Sequence, residues 1–462
     1  MEQVSLSSIT LSGMYQRYDL HIEFHKTLNV LHGQNGTGKS TLIHILANIA
    51  NRDVLRFCYL DFSCIAVGYS NGNKLTIETE DSEDQFLVTF KNGDLKHELR
   101  FTRSEALKAI TTLEEDKTRD PHIELIANQK LFIETSGVPK IKAAYFPAFR
   151  TMLEAWSSQF EDELRRYRSR VVYGSIPTQK VTSFARDLFG KFLPVINYPS
   201  PLSIEQNLRE EIRDAQLKIA RYESSVFSDS FVKVFSTLLG GAEGTPQEAE
   251  HLLEEISELT TETALNKIAN LEGPSNAYVQ LQQLVGKSRE SKELASSATG
   301  ALTVYRDALK ERRDFQAEIF AQIDKYFDAV NAFLDQKELK YSIDSARRMP
   351  KVGLRFRDGT WSSIRVMSSG ERQLLTMLYA VTKMSEDALV LIDEPELSLH
   401  IDWQEELLGK MMAQLGERQI IVCTHSPSIA SNYEDFMIEV KPVFSTKSAP
   451  RSHVSEDDEE FI

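Results

Sequence analysis

Residues Gly33-Gln34-Asn35-Gly36-Thr37-Gly38-Lys39-Ser40 follow the apolar run Leu28-Asn29-Val30-Leu31. They precede Leu42, Ile43, Ile45, Leu46 and Ile49, which recur at helical spacing. Strand, glycine loop and helix in this order fit G-x-x-x-x-G-K-[ST], a loop that cradles phosphate. Such a loop needs glycines because its backbone N–H groups wrap the oxygens of the anion. Lys39 adds a point charge, and Ser40 offers a hydroxyl to Mg2+. The helix that opens at Ser40 turns its positive end on the same anion. A unit of this kind commits the chain to an α/β fold.

A second element stands far away in the sequence. Val390-Leu391-Ile392-Asp393-Glu394-Pro395 is an apolar strand that ends in two carboxylates. Neighbouring strand positions point to opposite faces, so the two acids are expected to take different tasks. Asp393 would hold Mg2+ through its water shell, and Glu394 would polarise an attacking water as general base. Between the loop and this strand lies Met367-Ser368-Ser369-Gly370-Glu371-Arg372-Gln373, a turn that opens a helix. Its N–H groups and hydroxyls suit an anion, and they equally suit a helix N-cap. Thr424-His425-Ser426-Pro427 follows the strand Gln419–Cys423. His425 at that exit is placed to hydrogen-bond a terminal phosphate. The set predicts ATP binding and hydrolysis.

Composition limits the partners and the compartment. The net charge of −15 excludes a surface that is basic all over, so nucleic acid would need a local patch. Cys58, Cys64 and Cys423 have no partners at metal-ligand spacing, and Cys58 and Cys64 sit among apolar residues as expected buried thiols. Three thiols without a framework suit a reducing cytosol, so a cytoplasmic location is expected. Met1-Glu2-Gln3-Val4 lacks the features of a signal peptide. The aliphatic runs Ala388 to Ile392 and Ile420 to Val422 are far short of the ~20 residues that cross a bilayer. They read as buried parallel strands, and no membrane contact is expected.

Along the chain, residues 4 to 31 read as two or three strands. Residues 62 to 80 read as a hairpin turning at Asn71-Gly72-Asn73, and residues 86 to 101 as a second. Helices are expected at 152–172, 204–226, 246–271, 276–295 and 301–336, the last four forming a compact hairpin or small bundle. Strand character returns at 338–366, followed by a helix from Glu371 to Met384 and another over 402–415. The predicted plan is a head split in sequence. Residues 1–150 and 338–440 are its halves, 151–337 a helical insertion, and 441–462 a solvated tail containing the acidic run Ser455 to Glu460.

These motifs, in this order, resemble the ABC-type ATPase head in its SMC/RecF/OLD-like branch. Gly33–Thr41 resembles Walker A, Ser368-Ser369-Gly370-Glu371 the signature, and Leu389–Glu394 Walker B. Ser398-Leu399-His400-Ile401-Asp402 resembles the D-loop, and His425 the switch histidine. The resemblance covers roughly half the chain. It implies a mixed-sheet core, an antiparallel β-subdomain and a helical insertion. Ala144-Tyr145-Phe146-Pro147-Ala148-Phe149-Arg150 is similar to a Pro-x-x-Arg segment near the Q-loop of OLD-like ATPases, though no Q-loop glutamine is evident. Ser369 stands where transporter heads usually have Gly, and Glu371 where they have Gln. Both departures favour the SMC-like branch.

The resemblance also implies head-to-tail pairing around ATP and Mg2+. Gly33, Asn35, Gly36, Thr37, Gly38, Lys39, Ser40 and Thr41 would bind the nucleotide. Asp393 and Ser40 would hold the metal, and Glu394, His425 and Lys39 would act in catalysis. A second copy would supply Ser368, Ser369 and Gly370. The layout resembles the stand-alone ATPase subunit of two-gene antiphage systems such as PARIS or Septu. That implies an oligomeric sensor or scaffold controlling a separate Toprim or HNH nuclease or a toxin, with a phage-encoded trigger. No nuclease domain is expected in this chain. The competing expectation is a DNA-repair ATPase that clamps duplex DNA, with Arg165, Arg166, Arg168, Arg170, Lys180, Arg312, Arg313, Arg347, Arg348 and Lys351 as groove candidates. Most of these are expected instead to balance acidic neighbours on helix faces.

Overall fold

The computed structural model describes residues 4–80, 84–114, 124–150, 152, 176–239, single positions between 248 and 259, 299–342, 350–383, 388–416 and 418–444. The chain divides into two compact units, Met1–Tyr198 with Lys383–Ile462, and Pro199–Thr382. These divisions differ from the expected boundaries at 150/151 and 337/338. Ala185, Leu193 and Ile196 pack into the core of the first unit. Residues 338 to 370, with Ser368–Gly370, fall in the second.

The first unit begins with β1 (Leu6–Met14), β2 (Tyr18–Glu23), β3 (Leu28–His32) and α1 (Lys39–Ala50). Then come β4 (Cys64–Tyr69), β5 (Lys74–Glu80), β6 (Gln85–Asn92) and β7 (Leu95–Thr102). Next are α2 (Arg103–Glu114), α3 (Glu124–Ser136), β8 (Lys142–Phe146) and α4 (Ile176–Phe189). The two predicted hairpins are β4–β5 and β6–β7.

The second unit holds α5 (Pro201–Leu239), α6 (Thr299–Asn331), β9 (Lys337–Ser342), β10 (Lys351–Phe356), β11 (Trp361–Ser362) and α7 (Ser369–Lys383). The chain then returns through β12 (Ala388–Asp393), α8 (Ile401–Leu415), β13 (Ile420–Cys423), α9 (Pro427–Ala430), β14 (Met437–Glu439) and β15 (Val443–Phe444).

The fold is α/β with two sheets in the first unit. One is parallel throughout, in the order β14-β3-β13-β12-β8. Its β12 and β13 are the two aliphatic runs, and Leu389 to Ile392 and Ile420 to Cys423 are buried without interruption. The other sheet, β15-β2-β1-β4-β5-β6-β7, is antiparallel. It alternates, with Leu75, Ile77, Val88, Phe90, Leu99 and Phe101 buried on one face. Both sheets and α1 share one core. Each fully buried Leu or Ile there stabilises the fold by about 1.5–3 kcal/mol.

Two buried amides fix the relation of distant segments in this unit. Gln419 Nε2 donates to the carbonyls of Leu6 and His25 at 2.9 and 2.8 Å, and its Oε1 accepts the Leu6 N–H at 3.0 Å. Asn29 Oδ1 accepts the His25 N–H at 2.7 Å while its Nδ2 donates to the His25 carbonyl at 3.0 Å. A buried amide is stable only when its donors and acceptor are matched. Asn29 Nδ2 also donates to the Ile420 carbonyl at 3.3 Å, and this bond ties β3 to β13. Cys58 is buried as expected, whereas Cys64 is only half-buried.

In the second unit α5 and α6 run side by side. Their 39 and 33 residues correspond to lengths of about 58 and 50 Å. α5 is longer than the expected helix over 204–226, whereas α6 begins at Thr299 and ends at Asn331, short of the expected 336. Tyr222 stacks on Phe315 at 3.8 Å, and its hydroxyl donates to Glu311 at 2.6 Å. Aromatic and ionic pairs of this kind sustain the contact without heptads. Tyr326 Oη donates to the Leu375 carbonyl at 2.9 Å, which ties α6 to α7. The expected helices at 152–172 and 276–295, most of 246–271, and the acidic run of the tail lie outside the described residues. Among the described residues no helix is long and apolar enough to cross a membrane.

Candidate active site

Leu31, Cys423 and Asp393 stand opposite one another across β3, β13 and β12. Three parallel strands thus end level, and the glycine loop, the Asp393-Glu394 pair and His425 leave from the same carboxyl edge. Ligands of open α/β sheets bind at that edge. The parallel pairing thereby brings together segments separated by most of the chain.

The loop carries the backbone that its glycines permit. Gly36 and Gly38 have φ of +80° and +86°. A Cβ at Gly38 would stand 2.5 Å from the Tyr18 hydroxyl. Gln34, Asn35, Gly36 and Ser40 are exposed, whereas Lys39 is buried. Lys39 Nζ donates to the carbonyls of Gly33 and Gln34 at 2.9 Å each. Thr37 Oγ1 donates to the Gln34 carbonyl at 3.0 Å, closing the turn. Thr41 follows on the first turn of α1.

Asp393 is buried, and the Ser40 side chain favours its charged form. Burial pushes its pKa up to about 6, with Glu394 and Glu396 adding to the rise and Ser40 and Arg150 opposing it. A small hard cation suits this pair, which offers oxygen donors only. Mg2+ takes one or two protein oxygens and fills the rest with water and phosphate. Among the described residues no group of three or more His, Cys, Asp or Glu is placed to hold a metal.

Glu394 differs from the expectation of adjacent strand positions. Asp393 ends β12, and Glu394 is the first loop residue with φ of +50°. Its N–H donates to the Cys423 carbonyl at 2.8 Å. The separation of the two acids thus comes from a left-handed turn rather than from strand alternation. A non-glycine residue in this region costs of order 1–3 kcal/mol unless its surroundings enforce it.

Arg150 provides that enforcement. It is fully buried. Its Nη1 donates to the carbonyls of Asp393 and Pro147 at 3.0 and 3.2 Å, and its Nη2 to those of Glu394 and Pro395 at 3.0 and 3.2 Å. His425 is exposed, and its loop is held from below. Glu396 Oε1 accepts the N–H groups of His425 and Ser426 at 2.7 and 3.1 Å. Ser426 Oγ donates to Gln404 Oε1 at 2.7 Å, and Gln404 Nε2 donates to the Leu399 carbonyl at 3.0 Å.

Sequence reasoning quoted Arg150 within its Pro-x-x-Arg segment but gave it no task, and it missed Glu396. The available signals were a lone Arg after an apolar strand and a third acid two positions beyond Glu394.

Ser368, Ser369 and Gly370 belong to the second unit. Ser368 Oγ accepts the Glu371 N–H at 3.3 Å, and Glu371 Oε2 accepts the Ser368 N–H at 2.7 Å, forming a capping box at the start of α7. Lys337 pairs with Glu371 at 2.9 Å. Ser368 is exposed and Gly370 buried.

The cationic candidates fare as their acidic neighbours suggested. Arg312 is buried against Glu223 at 3.3 Å, Arg313 lies 3.6 Å from Asp314, and Lys351 sits over the Trp361 ring at 4.8 Å. Arg312 is therefore unsuited to line a groove. Arg165, Arg166, Arg168, Arg170, Arg347 and Arg348 lie outside the described residues.

A phosphate loop, a buried strand-end carboxylate and a second acid at the same sheet edge define a P-loop ATPase site. Residues 6–430 match the family model AAA_15, described as an AAA ATPase domain, and the chain belongs to that family. No curated protein matches it. Among solved structures it is similar to an Smc head domain with an extended coiled coil bound to the C-terminal domain of ScpA, from Pyrococcus furiosus. That match has 14% identity over 93% of this chain and 92% of the other, with a TM-score of 0.38. An Smc head domain with a coiled coil and joint from Pyrococcus yayanosii gives 13% identity over 93% and 94%, with a TM-score of 0.35.

Proposed function

We propose that this ATPase binds ATP with Mg2+ at the carboxyl edge of the parallel sheet and hydrolyses it there. The level ending of β3, β13 and β12, with Leu31, Cys423 and Asp393 in register, carries this reading, because it sets a phosphate loop beside an acid on a distant strand. On binding, Lys39 exchanges the Gly33 and Gln34 carbonyls for phosphate oxygen. The loop N–H groups hold the anion, and Ser40 and Asp393 hold the metal shell. Glu394 accepts the proton of the attacking water, and His425 donates to the terminal phosphate. Bound Mg2+ would draw charge from the transferring group.

A second copy completes the site through Ser368, Ser369 and Gly370. ATP then favours the closed pair by its differential contacts. The nucleotide-gated pair is a scaffold that controls a separate nuclease or toxin in antiviral defence; only the resemblance described above supports this last step. The test is Glu394→Gln. Wild-type protein should release phosphate from ATP, and the variant should bind ATP and accumulate as a dimer in sedimentation. An unchanged sedimentation profile with ATP, in a variant that binds it, would reject the pairing.

A second reading, a clamp on duplex DNA, has one observation in its favour. Lys74, Lys91 and Lys96 stand opposite one another on β5, β6 and β7, all exposed. Lys96 pairs with Glu98 at 2.5 Å, so Lys74 and Lys91 are the like charges in register, which are destabilising and which a polyanion would relieve. Affinity that falls steeply with salt, with a shallower slope in Lys91→Glu, would support the clamp. No DNA binding by the chain alone would favour the scaffold.

A further inference from the structure

The turn that carries Glu394 is anchored from one side chain. Arg150 spends both terminal nitrogens on four backbone carbonyls, three of them consecutive at Asp393, Glu394 and Pro395. The fourth, Pro147, belongs to the turn that carries Arg150 itself, and the Arg150 N–H also donates to that carbonyl at 3.2 Å. The guanidinium is thus fixed at its own base and reaches across from the end of β8 to the end of β12. A planar fork with donors on two terminal nitrogens can serve four carbonyls, and an ammonium, with three donors on one nitrogen, cannot. Fully buried, it has no water to replace those acceptors. The backbone it grips includes the one left-handed residue of the pair, Glu394 at φ +50°.

We infer that Arg150 is a positioning residue for hydrolysis: it holds the left-handed turn at Glu394 and so places the carboxylate that activates water. Arg150 acts on hydrolysis by holding this backbone, and its charge also favours the ionised Asp393 carboxylate. The inference rests on the function proposed above for Glu394, and its test separates the two.

Arg150→Lys keeps a buried cation and so protects the fold, but it reaches fewer carbonyls. Arg150→Gln removes the charge and keeps some donor capacity. With full-length protein, we expect kcat to fall at least tenfold in Arg150→Lys and further in Arg150→Gln. KM and the affinity for a fluorescent ATP analogue should stay within about threefold. In nucleotide-free protein, amide hydrogen exchange over residues 393–397 should accelerate in both variants, while exchange in β3 and α1 stays at the wild-type rate. In a Glu394→Gln background, Arg150→Lys should cost little further turnover.

Unchanged kcat and unchanged exchange at 393–397 would overturn the inference. So would accelerated exchange across the whole first unit with kcat following the melting temperature, because that describes a residue that only stabilises the fold. If wild-type protein turns over no ATP, the functional reading fails, and the exchange experiment still decides whether Arg150 holds this turn.

Discussion

The Glu396 carboxylate accepts the His425 N–H at 2.7 Å, which makes the loop after β12 and the loop after β13 one hydrogen-bonded piece. The same oxygen takes the Ser426 N–H at 3.1 Å. Glu396→Ala leaves both donors without this acceptor, whereas Glu396→Gln keeps a carbonyl oxygen there. We expect kcat to fall roughly tenfold in Glu396→Ala, equivalent to about 1.4 kcal/mol and comparable to one charge-assisted hydrogen bond. Glu396→Gln should stay close to wild type. Steady-state phosphate release measures both, and equal losses in the two variants would contradict the role given to the oxygen.

Gly38 combines φ of +86° with a close neighbour, the Tyr18 hydroxyl. Gly38→Ala therefore meets a backbone penalty of roughly 1–2 kcal/mol and a steric one. ATP affinity and thermal stability should both drop. Removing the hydroxyl in Gly38→Ala/Tyr18→Phe relieves only the contact, so the double variant should recover part of the lost stability. A double variant no better than Gly38→Ala would place the whole cost in the backbone.

His44 on α1 shares a 2.7 Å hydrogen bond with Tyr145 Oη, and burial lowers its pKa to about 4. Above pH 6.5 the ring is neutral in folded and unfolded chains alike, and stability is unaffected. Between pH 6.5 and about 4 the unfolded chain takes up a proton that the folded one refuses, so stability falls with falling pH. The slope approaches about 1.4 kcal/mol per pH unit. The ring keeps some water contact, which reduces the total to the order of 2 kcal/mol. Asp393, raised to about 6, acts with the opposite sign over part of this range, so urea denaturation should show the His44 contribution as a shallower rise or a decline in the wild type relative to His44→Gln. The same slope in His44→Gln would assign it to other groups.

Ser368 caps α7 in a single copy, and the proposed function gives it a second task in a neighbour's site. The two tasks separate by substitution. Ser368→Ala should lower stability without nucleotide by about 1 kcal/mol, and Ser368→Gly by only a few tenths. If Ser368 meets the phosphate of a partner, both variants should lose turnover and ATP-dependent dimer. Full turnover in Ser368→Gly would leave the cap as its whole role.

The phosphate loop and the buried parallel strands were readable in the sequence because local rules govern them. Gly36 and Gly38 take backbone that only glycine adopts cheaply, and the buried runs at β12 and β13 announce parallel strands by unbroken apolarity. The second unit was less legible. α5 runs to Leu239, well beyond the predicted end near 226, a stretch that lacks heptads. Boundaries between units also escaped, since Ala185 and Leu193 reach the first core from a segment that reads as insertion. Above all, Arg150 and Glu396 took their meaning from strand order. The order β3-β13-β12-β8 sets the Arg150 guanidinium on the Asp393–Pro395 carbonyls and Glu396 under His425. A chain pattern records spacing along the backbone, whereas these hydrogen bonds join residues 243 and 29 positions apart, and only the closed sheet brings them within reach.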